Sequence, residues 1–100
     1  MVASIGVWAQ GDTTGAQVLY RWEAEQQQGY VLFEPAPRAF RPADDTGTPI
    51  GDLRIDASAD ETTGTADGVN RALLGEAVVA ILRGYSKAGA PPATAHAYYS

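Results

Sequence analysis

Asp52, Arg54 and Asp56 alternate along one short stretch of the chain. In extended backbone, residues two apart share a face about 6.5–7 Å from one another. Two carboxylates flanking a guanidinium are suitable groups for acid–base work, and with Asp60 and Glu61 they could hold an oxygen-loving cation. The same alternation is also what the wet face of an ordinary half-buried strand looks like, and that reading outweighs the first. Asp44 and Asp45 stand in the turn-forming run DDTGTP, where short carboxylates bond nearby backbone amides. His96 is the single histidine, and the chain has no cysteine. One chain therefore offers no histidine cluster, no thiolate site and no Cys–His pair. The G-x-S-x-G, H-E-x-x-H and EF-hand patterns are missing. Residues 11–15 (GDTTG) lack the lysine of a phosphate loop. The expectation is a protein that is not an enzyme and needs no metal and no cofactor.

The aromatic residues carry more information. Trp8, Tyr20, Trp22, Tyr30, Phe33 and Phe40 crowd the first half of the chain. Some of them must form the core. A sheet with aromatics on both faces leaves others exposed, and exposed Trp and Tyr are favoured interface anchors. Trp8, Tyr30 and Phe40 are the expected anchors of a partner-binding surface, with Asp44, Asp45, Asp52 and Asp56 as its acidic complement.

These residues must be placed by a sheet and one helix. Residues 67–89 are the only long stretch with helical periodicity. At about 100° per residue, Val69, Leu73, Leu74, Ala77, Val78, Ile81, Leu82 and Tyr85 gather on one broad arc, which suits a helix lying across a sheet. Asp67 is the expected N-cap, and Gly89 the left-handed stop before Pro91 and Pro92. Gly84 offers an earlier stop. Before the helix the pattern is strand and turn. Residues 2–9 read as a strand with Ile5 and Val7 opposite Trp8. Residues 16–25 alternate strictly, with Val18, Tyr20 and Trp22 on one face. Residues 26–29 read as a hairpin turn and 30–34 as its return strand. Pro35, Pro37 and Pro42 mark an edge or a loop. Residues 50–57 read as a fourth strand, and 58–66 as a polar loop. Residues 93–99 fit either a last short strand or a free tail, and Tyr98 and Tyr99 favour the strand.

The expected fold is a single α+β domain over residues 1–100: an antiparallel sheet of four to five strands with one long C-terminal helix packed on one face. A chain of 100 residues supports one modest core. One helix cannot cover both faces of such a sheet. The net charge of −5 argues against direct nucleic-acid binding, which needs a basic footprint. No apolar run is long enough to span a membrane, and the N-terminus lacks the basic and apolar regions of a signal peptide. A cytoplasmic setting fits these features and the missing cysteine.

Residues 20–35, YRWEAEQQQGYVLFEP, resemble the opening hairpin of HicB-type antitoxins, in which a polar turn is followed by G-Y-V and a proline-bearing loop. The resemblance spans that hairpin alone. The chain departs from the family in the long link between Pro35 and the helix and in lacking the glycine-cysteine step after the proline. It implies that a sheet with one helix, binding a basic toxin, is a reasonable use for such a chain. The expectation is thus a small acidic protein-binding module, antitoxin-like, immunity-like or a regulatory adaptor, whose partner is another protein of basic character. The alternatives are a self-assembling homo-oligomeric subunit, or a small-ligand domain with a pocket between helix and sheet.

Overall fold

The computed structural model describes residues 3–99. The chain runs β1 (Ala3–Ala9), β2 (Val18–Ala24), β3 (Gln27–Glu34), β4 (Ala39–Ala43), β5 (Arg54–Asp56), β6 (Glu61–Thr63), α1 (Arg71–Ala88) and β7 (Thr94–Tyr99). Every strand pairs antiparallel in one sheet, ordered β6-β5-β4-β3-β2-β1-β7. The fold is α+β with one antiparallel sheet and one helix, but the sheet has seven strands, not four to five. The first six strands form a meander. The helix then carries the chain across the sheet, so that β7 pairs with β1 at the opposite edge.

The extra strands come from two places that turn residues and prolines had obscured. Residues 58–66, expected as a loop, contain β6, and the strand expected over 50–57 is reduced to β5 at Arg54–Asp56. The proline-rich stretch contains β4, which lies between β3 and β5 rather than at an edge. Pro42 is tolerated there for a local reason. Its carbonyl accepts from Ile50 N–H at 2.9 Å, so its donor-less nitrogen also faces that side, away from β3. β5 pairs with β4 only at Ala39 and Phe40, so no ladder bond is lost at Pro42. The β2–β3 turn is also tighter than expected. Glu25 and Gln26 alone form it, both with positive φ (52° and 64°), as a two-residue hairpin loop of the primed type requires. Gln27, Gln28 and Gly29 belong to β3.

The core lies between α1 and one face of the sheet. Ile5, Val7, Val18, Tyr20, Trp22, Val31, Phe33 and Phe40 from the strands meet Leu73, Leu74, Ala77, Val78 and Ile81 from the helix. Phe33 stacks on Phe40 with centroids 4.6 Å apart and meets Tyr85 edge-on at 5.4 Å. The helix starts later than expected. Asn70, not Asp67, is its N-cap, accepting from Leu73 N–H at 3.1 Å. Gly89 ends it in the left-handed conformation (φ 72°), as anticipated. Gly84 does not interrupt it. Pro92 packs so close that a Cβ there would lie 2.8 Å from the proline ring. The tail is the strand β7, tied down from below by Tyr20, whose hydroxyl donates to the Pro92 carbonyl at 2.7 Å.

Candidate functional site: the open face of the sheet

The alternation that sends Ile5, Val7, Tyr20 and Trp22 into the core sends Ser4, Gly6, Trp8, Arg21 and Glu23 to the opposite face. No helix of the described residues lies on that side. The strand register sets its side chains in rows. Thr94, Trp8, Arg21, Tyr30 and Ala43 lie side by side across β7, β1, β2, β3 and β4. His96, Gly6, Glu23 and Gln28 form the next row. Beyond them, Glu34, Ala39, Asp56 and Glu61 cross the far strands.

Trp8 is the centre of this face. It is 38% exposed, one of the few large apolar side chains so open. Its indole lies flat along its own strand above Gly6, where a Cβ would come within 2.6 Å of the ring. The Arg21 guanidinium sits 5.2 Å from the ring centroid and is paired with Glu23. A cation over an indole face is an attractive contact, and here it holds a flat aromatic in place while the residue stays 38% exposed. On β7, His96 and Tyr98 meet edge to face at 4.9 Å, and Tyr98 is 70% exposed. Arg54 donates to Glu34 at 2.9 Å, and Arg41 reaches the Gly51 carbonyl at 3.3 Å. The turn 44–48 folds back over the same face, bringing Gly47 against Leu19 of β2.

The expected site residues divide accordingly. Trp8 and Tyr30 stand in one row. Phe40 does not join them: it is fully buried against Phe33 in the core and cannot be an exposed anchor. Its position in a strand between prolines gave no alternation from which to read its face. Three of the four acids have structural work. Asp44 accepts from Thr46 N–H and Oγ1 (2.9 and 2.6 Å) and from Thr48 N–H (3.0 Å). The Thr46 hydroxyl, followed by the Thr48 amide, holds its carboxyl below the usual range. Asp56 accepts from the Ser58 hydroxyl and the Ser58 and Ala59 amides, and is lowered for the same kind of reason. Asp52 accepts from Thr65 N–H at 2.8 Å, while its own N–H donates to the Thr65 carbonyl at 2.9 Å. Asp45 is exposed in the 44–48 turn. Among the described residues no three acidic or histidine side chains gather as metal ligands. Arg21 is the residue that sequence reasoning missed. The signal was available, since it lies one step out of phase with Tyr20 and Trp22 on the clearest strand.

A cavity of about 180 Å³ lies between the helix N-terminus and the sheet, lined by Trp22, Gln28, Tyr30, Asn70 and Leu74 among others. It falls below the roughly 300–1,000 Å³ of ordinary ligand sites. Among the described residues no helix is long and apolar enough to cross a membrane. Comparison with known proteins finds no matching family model, no matching curated protein and no matching solved structure.

Proposed function

We propose that this protein is a binding module, without catalytic activity, that engages a second protein through the open face of its sheet. The observation that carries the reading is the row of Trp8, Arg21 and Tyr30, with the indole pinned between Gly6 and the guanidinium. Tryptophan, arginine and tyrosine are the side chains most often found as binding hot spots, and an anchor already held in place loses little freedom on binding. The acids expected at the site supply the field around it rather than its centre. Asp44 and Asp45 ride on a turn that folds over this face, and the chain's net charge of −5 steers a basic partner towards it. An antitoxin-like or adaptor role in the cytoplasm is the setting this reading carries. The small volume of the cavity between helix and sheet weighs against that cavity as a metabolite site.

The test is affinity capture from the native host with wild-type bait and with Trp8→Ala and Arg21→Ala baits, followed by calorimetry on the captured protein. Each substitution is expected to weaken binding by about 2 kcal/mol, roughly thirtyfold. Asp45→Asn is expected to slow association and flatten its salt dependence while leaving dissociation unchanged. Equal affinity for all baits would remove the open face from consideration.

A further inference from the structure

β7 is an edge strand whose free side is not blunted. Residues 94–99 (TAHAYY) contain no lysine, acid or proline, the usual devices that keep an exposed edge from pairing. The opposite edge, β6, is only three residues long and carries Glu61. The direction of each β7 backbone group follows from the register. Ala9 N–H donates to the Ala93 carbonyl at 2.9 Å. The pairs that exchange bonds with β1 are therefore those in phase with it, Val7 with Ala95, Ile5 with Ala97 and Ala3 with Tyr99. The N–H and C=O groups of Thr94, His96 and Tyr98 point the other way, out of the sheet edge.

The helix flanks this edge. It runs antiparallel to β7, with Glu76 beside Tyr99 and with Arg83 and Lys87 lining a groove with Ala95 and His96. Glu76, Ala80, Arg83 and Lys87 recur at steps of four, three and four, so they form one stripe along the helix. The stripe is acidic at one end and basic at the other. Val79, 39% exposed, lies between Glu76 and Arg83 on the same side.

We infer that β7 pairs antiparallel with β7 of a second copy, about a two-fold axis at His96, making one sheet continuous through both chains. His96 then stands opposite its symmetry mate, and Thr94 opposite Tyr98 of the other copy. This is the two-fold register that uses all the outward-pointing groups of Thr94, His96 and Tyr98. The same axis sets the two helices antiparallel, so Glu76, out beside Tyr99, lies towards Lys87 at the basic end of the other copy's stripe, with Arg83 beside the axis. The stripe is thus complementary to itself, as a two-fold interface demands. A foreign acidic strand would satisfy Arg83 and Lys87 but oppose Glu76.

Sedimentation equilibrium at low salt, over micromolar to millimolar protein, is the test. The expected mass is twice the 10.5 kDa of one chain. Glu76→Lys, on the helix surface, is expected to weaken the dimer on the order of tenfold, because two attractive clusters become repulsive. The triple variant Glu76→Lys, Arg83→Glu, Lys87→Glu is expected to restore it, which a mere loss of folding could not do. Hydrogen exchange at the amides of Thr94, His96 and Tyr98 should slow as the dimer fills. A monomer at every concentration overturns the proposal and leaves the edge to a foreign strand. A dimer in which those three amides exchange freely also overturns it, placing the contact on another face.

Discussion

Trp8 and Trp22 are the chain's two tryptophans, and each lies over a glycine on its own side of the sheet. Trp8 covers Gly6 on the open face, and Trp22 covers Gly29 on the core face, where a Cβ would stand 2.6 Å from the ring. A small residue beneath a large flat one lets the indole lie along the sheet instead of standing off it. Tyr20 makes the other decisive single contact. Fully buried, it donates to the Pro92 carbonyl at 2.7 Å and so joins β2 to the segment leading into β7. Tyr20→Phe is expected to cost about 1–2 kcal/mol in urea unfolding at neutral pH, because the carbonyl loses its partner. Burial also pushes the Tyr20 phenol up to about 12. Its folded value exceeds its unfolded one of about 10, so this contribution is complete below pH 10 and is lost as the pH rises towards 12. The hydrogen bond to Glu25 raises Tyr99 in the same sense. Absorbance titration of the wild type should therefore show late-ionising phenols, and one fewer in Tyr20→Phe. Loss of a normally ionising phenol instead, with the late fraction unchanged, would show that Tyr20 ionises normally.

At the scale of elements, the helix cap separates two residues that look equivalent in sequence. Asp67 and Asn70 are both good N-cap types, but only the Asn70 side chain accepts from the first turn, at Leu73 N–H. Asn70→Ala is expected to lower stability by about 1 kcal/mol, and Asp67→Ala by a few tenths at most. Thermal melts of the pair decide between them, and equal losses would return the cap to Asp67. The β2–β3 turn gives the opposite sign. Gln26 holds φ 64°, a conformation that costs a side-chain-bearing residue about 1–2 kcal/mol. Gln26→Gly is expected to stabilise the hairpin by about 1 kcal/mol, net of the extra freedom glycine has when unfolded. A drop in melting temperature would mean that the Gln26 side chain makes contacts worth more than the strain.

At the scale of the molecule, charge is organised for loops as much as for partners. Asp12, Asp44 and Asp56 each accept a hydroxyl first and amides second, and each is held below the usual carboxylate value. Their folded values lie below the unfolded value of about 3.9. The unfolded chain therefore binds more protons as the pH falls past that value, and stability is lost through the folded values below it. Chemical unfolding between pH 6 and pH 2.5 should show a decline concentrated below about pH 4. In the combined Asp12→Asn, Asp44→Asn and Asp56→Asn variant that decline should be shallower from a lower neutral-pH starting point. An identical slope would mean that other carboxylates govern acid unfolding.

Sequence alone determined a good deal of this protein. Strict alternation placed Val18, Tyr20 and Trp22 inside, and helical periodicity placed Leu73, Leu74, Ala77, Val78 and Ile81 on the core side. Gly89 marked the helix end. These are local patterns, in which side-chain direction follows from backbone period and a single apolar face suffices to orient an element. Tertiary structure alone decided the rest. Proline signals an edge only until the neighbouring strand's length is known, so Pro42 could sit in an interior strand where β5 had already ended. Phe40 was drawn inside by stacking on Phe33, a residue of the adjacent strand. β5 and β6 are too short to carry a period and exist because they pair with each other and with β4. The placing of β7 beside β1, far from its neighbours in sequence, set His96 beside Trp8, with Tyr98 against His96, and left an open edge. Such pairings depend on contacts between distant segments, and no local pattern encodes which edge a returning strand will meet.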